Sequence, residues 1–427
     1  MCINTKELLG INDNSIKIIK IENIKENCNT NKYIHLKRMC KKVKCPDCKE
    51  ITSYHYDTRY IKIKHLKSAN YNTIIVIHKR RFKCKNCDKT FTEQFDFVKP
   101  RKRVSNSLNR KLHLDLRDNV SFKYVGKINN VSTTYVRNKF KKEINYFSYE
   151  KYFPKIISFD EFKADTDRGK YSCIINDPIN KKTIDILPTR KKEDIKKYLK
   201  RVKNREEVEY VISDMWKPYL DITKIYFKNA KYVVDRFHYV RYIMDALDSI
   251  RVNLQKYYNN EHHKYIYKLL KNKKNVSLLR KHSTDIKKWD KVITCTNIHG
   301  NKWSCTLDQK LEEILDIDLM LRKGYQLKES FLDIIDTATY EEAEELLKQW
   351  IDVCFDSGLE PFMDAAETIR NWLPYIVNSF IDKRFTNGYT EGINNKIKSH
   401  KRVAFGYQRF ITFRNRMLYI LDKNIKS

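Results

Sequence analysis

Four acidic residues stand where a carboxylate could hold a metal ion. Asp160 closes the β-like run Lys155 to Phe159, Asp214 follows Glu209 to Ser213, and Asp235 follows Lys231 to Val234. An unpartnered carboxylate beside a buried run is costly, and an open mixed sheet presents its ligand site beyond the ends of its strands. The fourth acid, Glu391, lies in R-F-T-N-G-Y-T-E-G-I-N-N-K-I-K-S-H-K-R, which starts at Arg384. Asn387-Gly388 is a turn signal, and the residues after it have helical spacing. Glu391, Asn394, Asn395 and Lys398 fall at i, i+3, i+4 and i+7, with Ile393 and Ile397 on another face. A carboxylate that ligates, flanked by amides and by bases that neutralise, suits a metal ion meeting a phosphate backbone. The solvated face of an ordinary amphipathic helix is the other reading.

A second constellation is sulfur-based. C-P-D-C at Cys45 and Cys48 and C-K-N-C at Cys84 and Cys87 are two C-x-x-C knuckles, the pattern that wraps one tetrahedral, structural zinc in thiolate. Between them, Tyr54 to Ile63 and Tyr71 to Phe82 read as two strands of a hairpin that brings the knuckles together. Arg80, Arg81, Lys83 and Lys85 surround the second knuckle and make the module a candidate for phosphate contact.

The chain of 427 residues carries 86 Lys+Arg against 53 Asp+Glu, a formal charge of +33 spread along its whole length. Dispersed bases that release counterions along a polyanion point to nucleic acid, with an anionic membrane surface as the rival. The first residues, among them Asn4, Lys6 and Glu7, do not read as a signal peptide. No apolar run approaches a bilayer span. Eleven cysteines, of which only the knuckles are closely spaced, fit a reducing, cytoplasmic setting.

Elements that must position these groups follow in order. Residues 1–40 form an extension with short β-like runs such as Ile16 to Ile21, and residues 41–100 the zinc-binding module. Residues 101–150 are helical, and Ser121 to Phe140 has the pattern of a helix-turn-helix. Ser121 and Ser132 cap its two helices, Gly126 is small at their crossing, and Asn130 takes the left-handed turn position. Val125, Val131, Val136 and Phe140 form its core. Thr133, Thr134 and Arg137 then face the major groove, and Asn129 is polar where an apolar residue is more usual. Residues 151–239 read as three strands, a helix, and strands alternating with helices, a mixed α/β sheet. Residues 240–381 read as almost wholly helical, an insertion that separates the sheet from residues 382–427. Trp303, Trp350 and Trp372 in it read as core rather than as base-stacking groups.

From about Cys45 to Leu421 the chain resembles the DDE-type insertion-sequence transposases of the ISL-three group. The resemblance rests on C-P-D-C with R-R-F-K-C-K-N-C-D-K-T-F-T-E, on S-F-D-E-F, I-S-D-M-W-K-P-Y and V-V-D-R-F-H, and on R-F-T-N-G-Y-T-E-G-I-N-N-K-I-K with R-V-A-F-G-Y. It implies a multidomain α+β protein: a β-rich zinc-binding module, a helix-turn-helix domain, and an RNase H-like catalytic domain interrupted by an all-α insertion. It implies that Asp160, Asp214 and Glu391 bind catalytic Mg²⁺, two ions about 4 Å apart, with Asp160 bridging. Asp235 and His238 match a D-x-x-H element and stand behind those ligands. Lys398 and Lys401 are candidate phosphate clamps. Glu161, next to Asp160 on a strand, is expected to face away. The implied activity is cleavage and strand transfer on duplex DNA, at terminal inverted repeats and target, by a homodimer or higher oligomer assembled on DNA near the bacterial nucleoid. A zinc and helix-turn-helix transcription regulator, or a nuclease of the same fold without strand transfer, are the alternatives.

Overall fold

Residues 5–26, 29–143, 149–288, 291–296 and 301–421 are described by a computed structural model. The chain divides into two units, one of residues 1–148 with 396–427, the other of residues 149–395.

In the first unit a short helix α1 (Thr5–Leu8) precedes β1 (Ile16–Glu26) and β2 (Asn29–Arg38). After the two-residue strands β3 (Val43–Lys44) and β4 (Ile51–Thr52) come β5 (His55–Lys64), β6 (Asn72–Lys83) and β7 (Thr90–Thr92). The sheet order is β1-β2-β6-β5, with β7 on β6. Strands β2 and β6 run parallel, and the other pairs of this sheet are antiparallel. The N-terminal extension therefore supplies two of the five strands of the sheet, and its Ile16, Ile34 and Leu36 are buried with Ile63, Ile75 and Ile77. Helices α2 (Asn106–Asp115), α3 (Phe122–Ile128) and α4 (Thr133–Glu143) follow. The Ser121 and Ser132 hydroxyls accept from the backbone N–H of Tyr124 and Tyr135, each at 3.1 Å. Asn130 has φ 52°, and a Cβ on Gly126 would lie 2.8 Å from the Val131 carbonyl oxygen, so the turn needs both residues. Asn129 is buried because its amide donates to Asp115 Oδ2 at 2.6 Å, which explains a polar residue at an apolar position.

The sequence division that assigns 382–427 to the sheet domain differs from the structure, where the break falls at 395/396. The C-terminal helix Phe410–Leu421 closes the helix-turn-helix core. Tyr419 packs on Phe140 and donates to the His113 carbonyl at 3.0 Å. Arg416, fully buried, donates to the Asp118 and Val120 carbonyls beneath Phe122.

The second unit is built on a sheet of order β10-β9-β8-β11-β12. Strands β8 (Ile156–Thr166), β9 (Gly169–Asp177) and β10 (Lys182–Leu187) form an antiparallel meander. Then α5 (Lys192–Leu199) leads to β11 (Tyr210–Ser213), and α6 (Lys217–Tyr226) leads to β12 (Lys231–Val234). Both later strands are parallel to β8, as helical crossovers require. Strand β8 continues seven residues past the Lys155–Phe159 run predicted from sequence, so Asp160 lies within it rather than at its end.

The insertion comprises α7 (Arg236–Tyr257), α8 (Lys264–Lys271), α9 (Lys273–Arg280), α10 (Ser283–Lys288), α11 (Leu307–Leu315), α12 (Leu319–Thr337), α13 (Tyr340–Asp356) and α14 (Glu360–Val377). It is not all-helical. Strands β13 (Ile293–Thr296) and β14 (Lys302–Cys305) form an antiparallel pair, favoured by the β-branched residues Ile293, Thr294 and Thr296. Cys295 and Cys305 are disulfide-bonded across it, a pairing that the expectation of reduced thiols does not anticipate. Trp350 is core, its indole donating to the Leu327 carbonyl at 2.9 Å, whereas Trp303 on β14 is exposed. No helix among the described residues is long and apolar enough to cross a membrane. Helices α15 (Gly388–Ala404) and α16 (Phe410–Leu421) complete the chain.

Candidate functional site

Alternation along β8 puts Ser158 and Asp160 on one face of the sheet and Phe159 and Glu161 on the other. The first face is covered by the start of α15. Thr390, fully buried, shares a hydrogen bond of 3.0 Å with the Ser158 hydroxyl and accepts from Asn176 Nδ2 at 2.9 Å. Asn394 Nδ2 donates to Asp160 Oδ2 at 2.7 Å, and the backbone N–H of Asn387 donates to Asp235 Oδ1 at 2.9 Å. Asn394 is thus buried with Ile393 and Ile397 rather than solvated beside Lys398. Glu391 lies in the first turn of α15, one turn before Asn394, and is exposed.

On the other face Phe159 stacks on Tyr219, and Glu161 emerges beside α6. The expectation that Glu161 points away from the site needs correcting. It lines a cavity of about 220 Å³ with Asp214, His238, Arg190, Trp216 and Tyr242. Asp214, just past the end of β11, borders this cavity, so leaving the Asp160 face does not take Glu161 away from Asp214. Glu161 is ion-paired with Arg190, whose guanidinium lies over the rings of Tyr171 and Trp216. Arg190 carries no signal in the sequence, because nothing in T-R-K-K distinguishes it from Lys191 and Lys192.

The electrostatics follow from crowding. Burial first, then the Asp214 carboxylate, pushes the Asp160 carboxyl up to about 7. His238 Nε2 lies 2.7 Å from Asp214 Oδ1 and 3.9 Å from Asp235 Oδ2. Burial opposes the imidazolium, but Asp214, then Asp235 and Asp160, outweigh it and hold the His238 pKa above its ordinary value. Asp235, nearly fully buried, occupies the N-cap position of α7, and burial raises the pKa of its carboxyl as well.

Hard oxygen donors that repel one another suit a divalent cation. Among the described residues the buried Glu161 Oε2 and Asn394 Oδ1 have no hydrogen-bond partner, which leaves them able to accept from water around such an ion. Asp160, Asp214 and Glu391 do not converge as closely as the thiols: among the described residues only the four cysteines place all their ligand atoms within 4.8 Å of one another.

That cluster is Cys45, Cys48, Cys84 and Cys87. Cys45 Sγ is 3.7 Å from Cys87 Sγ, and Cys48 Sγ is 3.4 Å from Cys84 Sγ. Ligands about 2.3 Å from a tetrahedral zinc are about 3.7 Å apart, so the donor set fits that ion. The Cys48 thiol is drawn down to about 6, chiefly by the backbone N–H of Glu50. The Cys87 thiol is pushed up to about 12: the Lys89 N–H favours its thiolate, but burial and the other three sulfurs outweigh it. Sulfurs this close cannot all ionise without a cation between them.

A family model for transposases, that of the DDE type and ISL3 group, matches residues 157–417. The chain belongs to this transposase family. A second model, for the zinc-finger of transposase IS204/IS1001/IS1096/IS1165, matches residues 41–87 and so contains all four cysteines. The transposase for insertion sequence element IS1001 of Bordetella parapertussis is 20% identical over 380 residues, 88% of each chain. A protein described as an ATP-dependent protease, from Lactococcus lactis subsp. lactis, is 34% identical over 98 residues, 23% of this chain and 30% of that one. So short a match transfers no activity.

The remaining residues that the sequence of this transposase singles out for DNA contact differ in availability. Arg80 is spoken for: its guanidinium donates to Glu93 at 2.5 and 3.1 Å and to the Cys40 carbonyl at 2.7 Å. It is a structural residue of the module and not a free phosphate contact. Arg81 lies over Tyr56 and donates to the Thr90 hydroxyl at 2.9 Å. Thr134 and Arg137 are exposed on α4 and Thr133 is half-buried. Lys398 is exposed on α15 and Lys401 half-buried.

Proposed function

We propose that Asp160, Asp214 and Glu391 together hold the catalytic cations of this transposase, in a domain of RNase H-like architecture. One observation carries the reading: the Asn394–Asp160 hydrogen bond fixes α15 against β8 one helical turn from Glu391. Strand β11, which delivers Asp214, is the parallel neighbour of β8. Asp235 sets the start of α15 through the Asn387 N–H, and His238 orients Asp214. Both are positioning residues. Mg²⁺, when bound, supplies Lewis-acid stabilisation of the attacking and leaving oxygens in DNA cleavage and strand transfer. The acids bind and orient; Glu161 and Arg190 shape the wall beside them.

The cysteine cluster holds one structural Zn²⁺. The zinc module and the helix-turn-helix recognise the terminal inverted repeats of the element, with Arg81, Thr133, Thr134 and Arg137 toward DNA and Lys398 and Lys401 clamping phosphates. The active form is a homodimer or higher oligomer on DNA, in the cytoplasm at the nucleoid.

The experiment is an end-cleavage and strand-transfer assay with Mg²⁺ on Asp160→Asn, Asp214→Asn and Glu391→Gln. Each variant is expected to lose both activities while binding of end DNA persists, and double variants are expected to be no worse than singles. Near-normal activity in Glu391→Gln would remove that residue from the set.

A further inference from the structure

The insertion contains an open groove of about 1170 Å³ between α8–α9 and the hairpin of β13 and β14. Its lining includes Lys264, Lys268, Lys273, Lys274 and Lys281, all exposed, and, among the described residues, no carboxylate. Lysine is abundant throughout this chain, so number alone decides little. What sets these five apart is that they line one groove together, and among the described residues none of them is in an ion pair. Some lysines elsewhere in the unit are, as in Lys192–Asp221 and Lys348–Glu344. Lys310, on the floor, is paired with Glu313, which also accepts from the Tyr265 hydroxyl.

Like charges one turn apart, such as Lys264 and Lys268 on α8, destabilise a helix unless an anion meets them. A groove that concentrates such charges and holds no acid attracts a phosphate backbone. Single strands are usually held by aromatic stacking as well, and Tyr265, the one aromatic lining the groove among the described residues, is half-buried with its hydroxyl committed to Glu313. We propose that this groove is a second DNA-binding surface of the transposase, holding the backbone of duplex DNA without reading its sequence. It shares no residue with the helix-turn-helix or with the acidic site.

The test uses the full-length protein without Mg²⁺ and a fluorescent random-sequence duplex, so it stands whether or not the acids are catalytic. The variant Lys264→Gln, Lys268→Gln, Lys273→Gln, Lys274→Gln is expected to bind at least about tenfold more weakly at 0.1 M salt. Its plot of log affinity against log salt is expected to be shallower by about 0.9 for each phosphate that the protein no longer neutralises. The same four changes to Arg should retain binding. Changing Lys224, Lys228, Lys323 and Lys348, exposed elsewhere in the unit, to Gln should leave the slope unaltered. Acetylation of the wild-type protein, read by mass spectrometry, should show the four groove lysines protected by the duplex, which answers the question even if the Gln variant fails to fold. Unchanged affinity in a folded Gln variant, equal loss in the control, or no protection overturns the proposal.

Discussion

Asn394 and Asp160, 234 residues apart in the chain, are joined by a hydrogen bond of 2.7 Å from the amide Nδ2 to the carboxylate Oδ2. The bond ties the helix that carries Glu391 to the strand that carries Asp160. It also favours the ionised form of an acid that burial and Asp214 drive toward neutrality. Asn394→Leu is therefore expected to move the acid limb of the cleavage pH profile upward by about one unit. Asn394→Asp, which adds a carboxylate at the same point, should move it further. A profile unchanged in both variants would show that the bond does not govern Asp160.

The same raised pKa has a consequence for stability. A carboxyl that titrates near 7 in the folded protein and near 3.8 unfolded binds more protons when folded. In metal-free protein, stability is then lost as pH rises from about 4 to 7 and stays low above that. Asp160→Asn removes this penalty. Its melting temperature should exceed wild type at pH 8, by an amount worth about 1–4 kcal/mol, and approach wild type at pH 4. Saturating Mg²⁺ should narrow the gap at pH 8 by stabilising the wild type alone. A pH-independent difference would sink the assignment.

Local chemistry makes much of this legible from sequence. The caps at Ser121 and Ser132, the left-handed Asn130 and the close approach at Gly126 are determined within a few residues, and each is present as expected. So is β12 over Lys231 to Val234. What escapes a sequence reading depends on partners far away in the chain. Asn129 is out of place by its motif alone and makes sense only beside Asp115, and Asn394 reads as solvated because its partner lies on β8. Arg80 reads as a phosphate contact because Glu93 sits across the β6–β7 pairing, and Glu161 reads as remote because strand alternation says nothing of Asp214 at a neighbouring strand's end.

Zinc in the amino-terminal module should be present at one ion per chain by elemental analysis. Cys84→Ser, which removes a buried ligand, should lose the ion and open residues 41–87 to proteolysis, since a thiolate site couples binding to folding. The unit of residues 149–395 contains none of the four ligands and should keep its far-ultraviolet signature. Stoichiometric zinc retained in the Cys84→Ser protein would count against the four-thiolate site.

Asn129 tests whether a buried polar pair supports the helix-turn-helix. Asn129→Leu fits the apolar expectation of the motif but deprives the buried Asp115 carboxylate of a donor at 2.6 Å and leaves it to its ion pair with Lys111. Urea unfolding should show a loss of about 1–3 kcal/mol. Adding Asp115→Leu should recover part of it, because no acceptor is then stranded. A fully additive double variant would mean that the two residues act separately.

Asp235 separates positioning from ligation. Its carboxylate is nearly fully buried, accepts the Asn387 N–H at 2.9 Å at the entrance to α15, and faces His238 at 3.9 Å. Asp235→Asn keeps an oxygen for the Asn387 N–H and loses only the charge behind His238, so cleavage should fall no more than about tenfold. Asp235→Ala loses both, frees the start of the helix carrying Glu391, and should cost about 10- to 100-fold, as is usual for residues that orient metal ligands. If the loss comes through Glu391, the Mg²⁺ concentration giving half-maximal cleavage should rise in Asp235→Ala, and high Mg²⁺ should restore much of the rate, with affinity for end DNA unchanged. A general loss of folding would instead lower activity at every Mg²⁺ concentration and weaken DNA binding with it. Asp235→Asn as inactive as Asp214→Asn would make Asp235 a ligand in its own right.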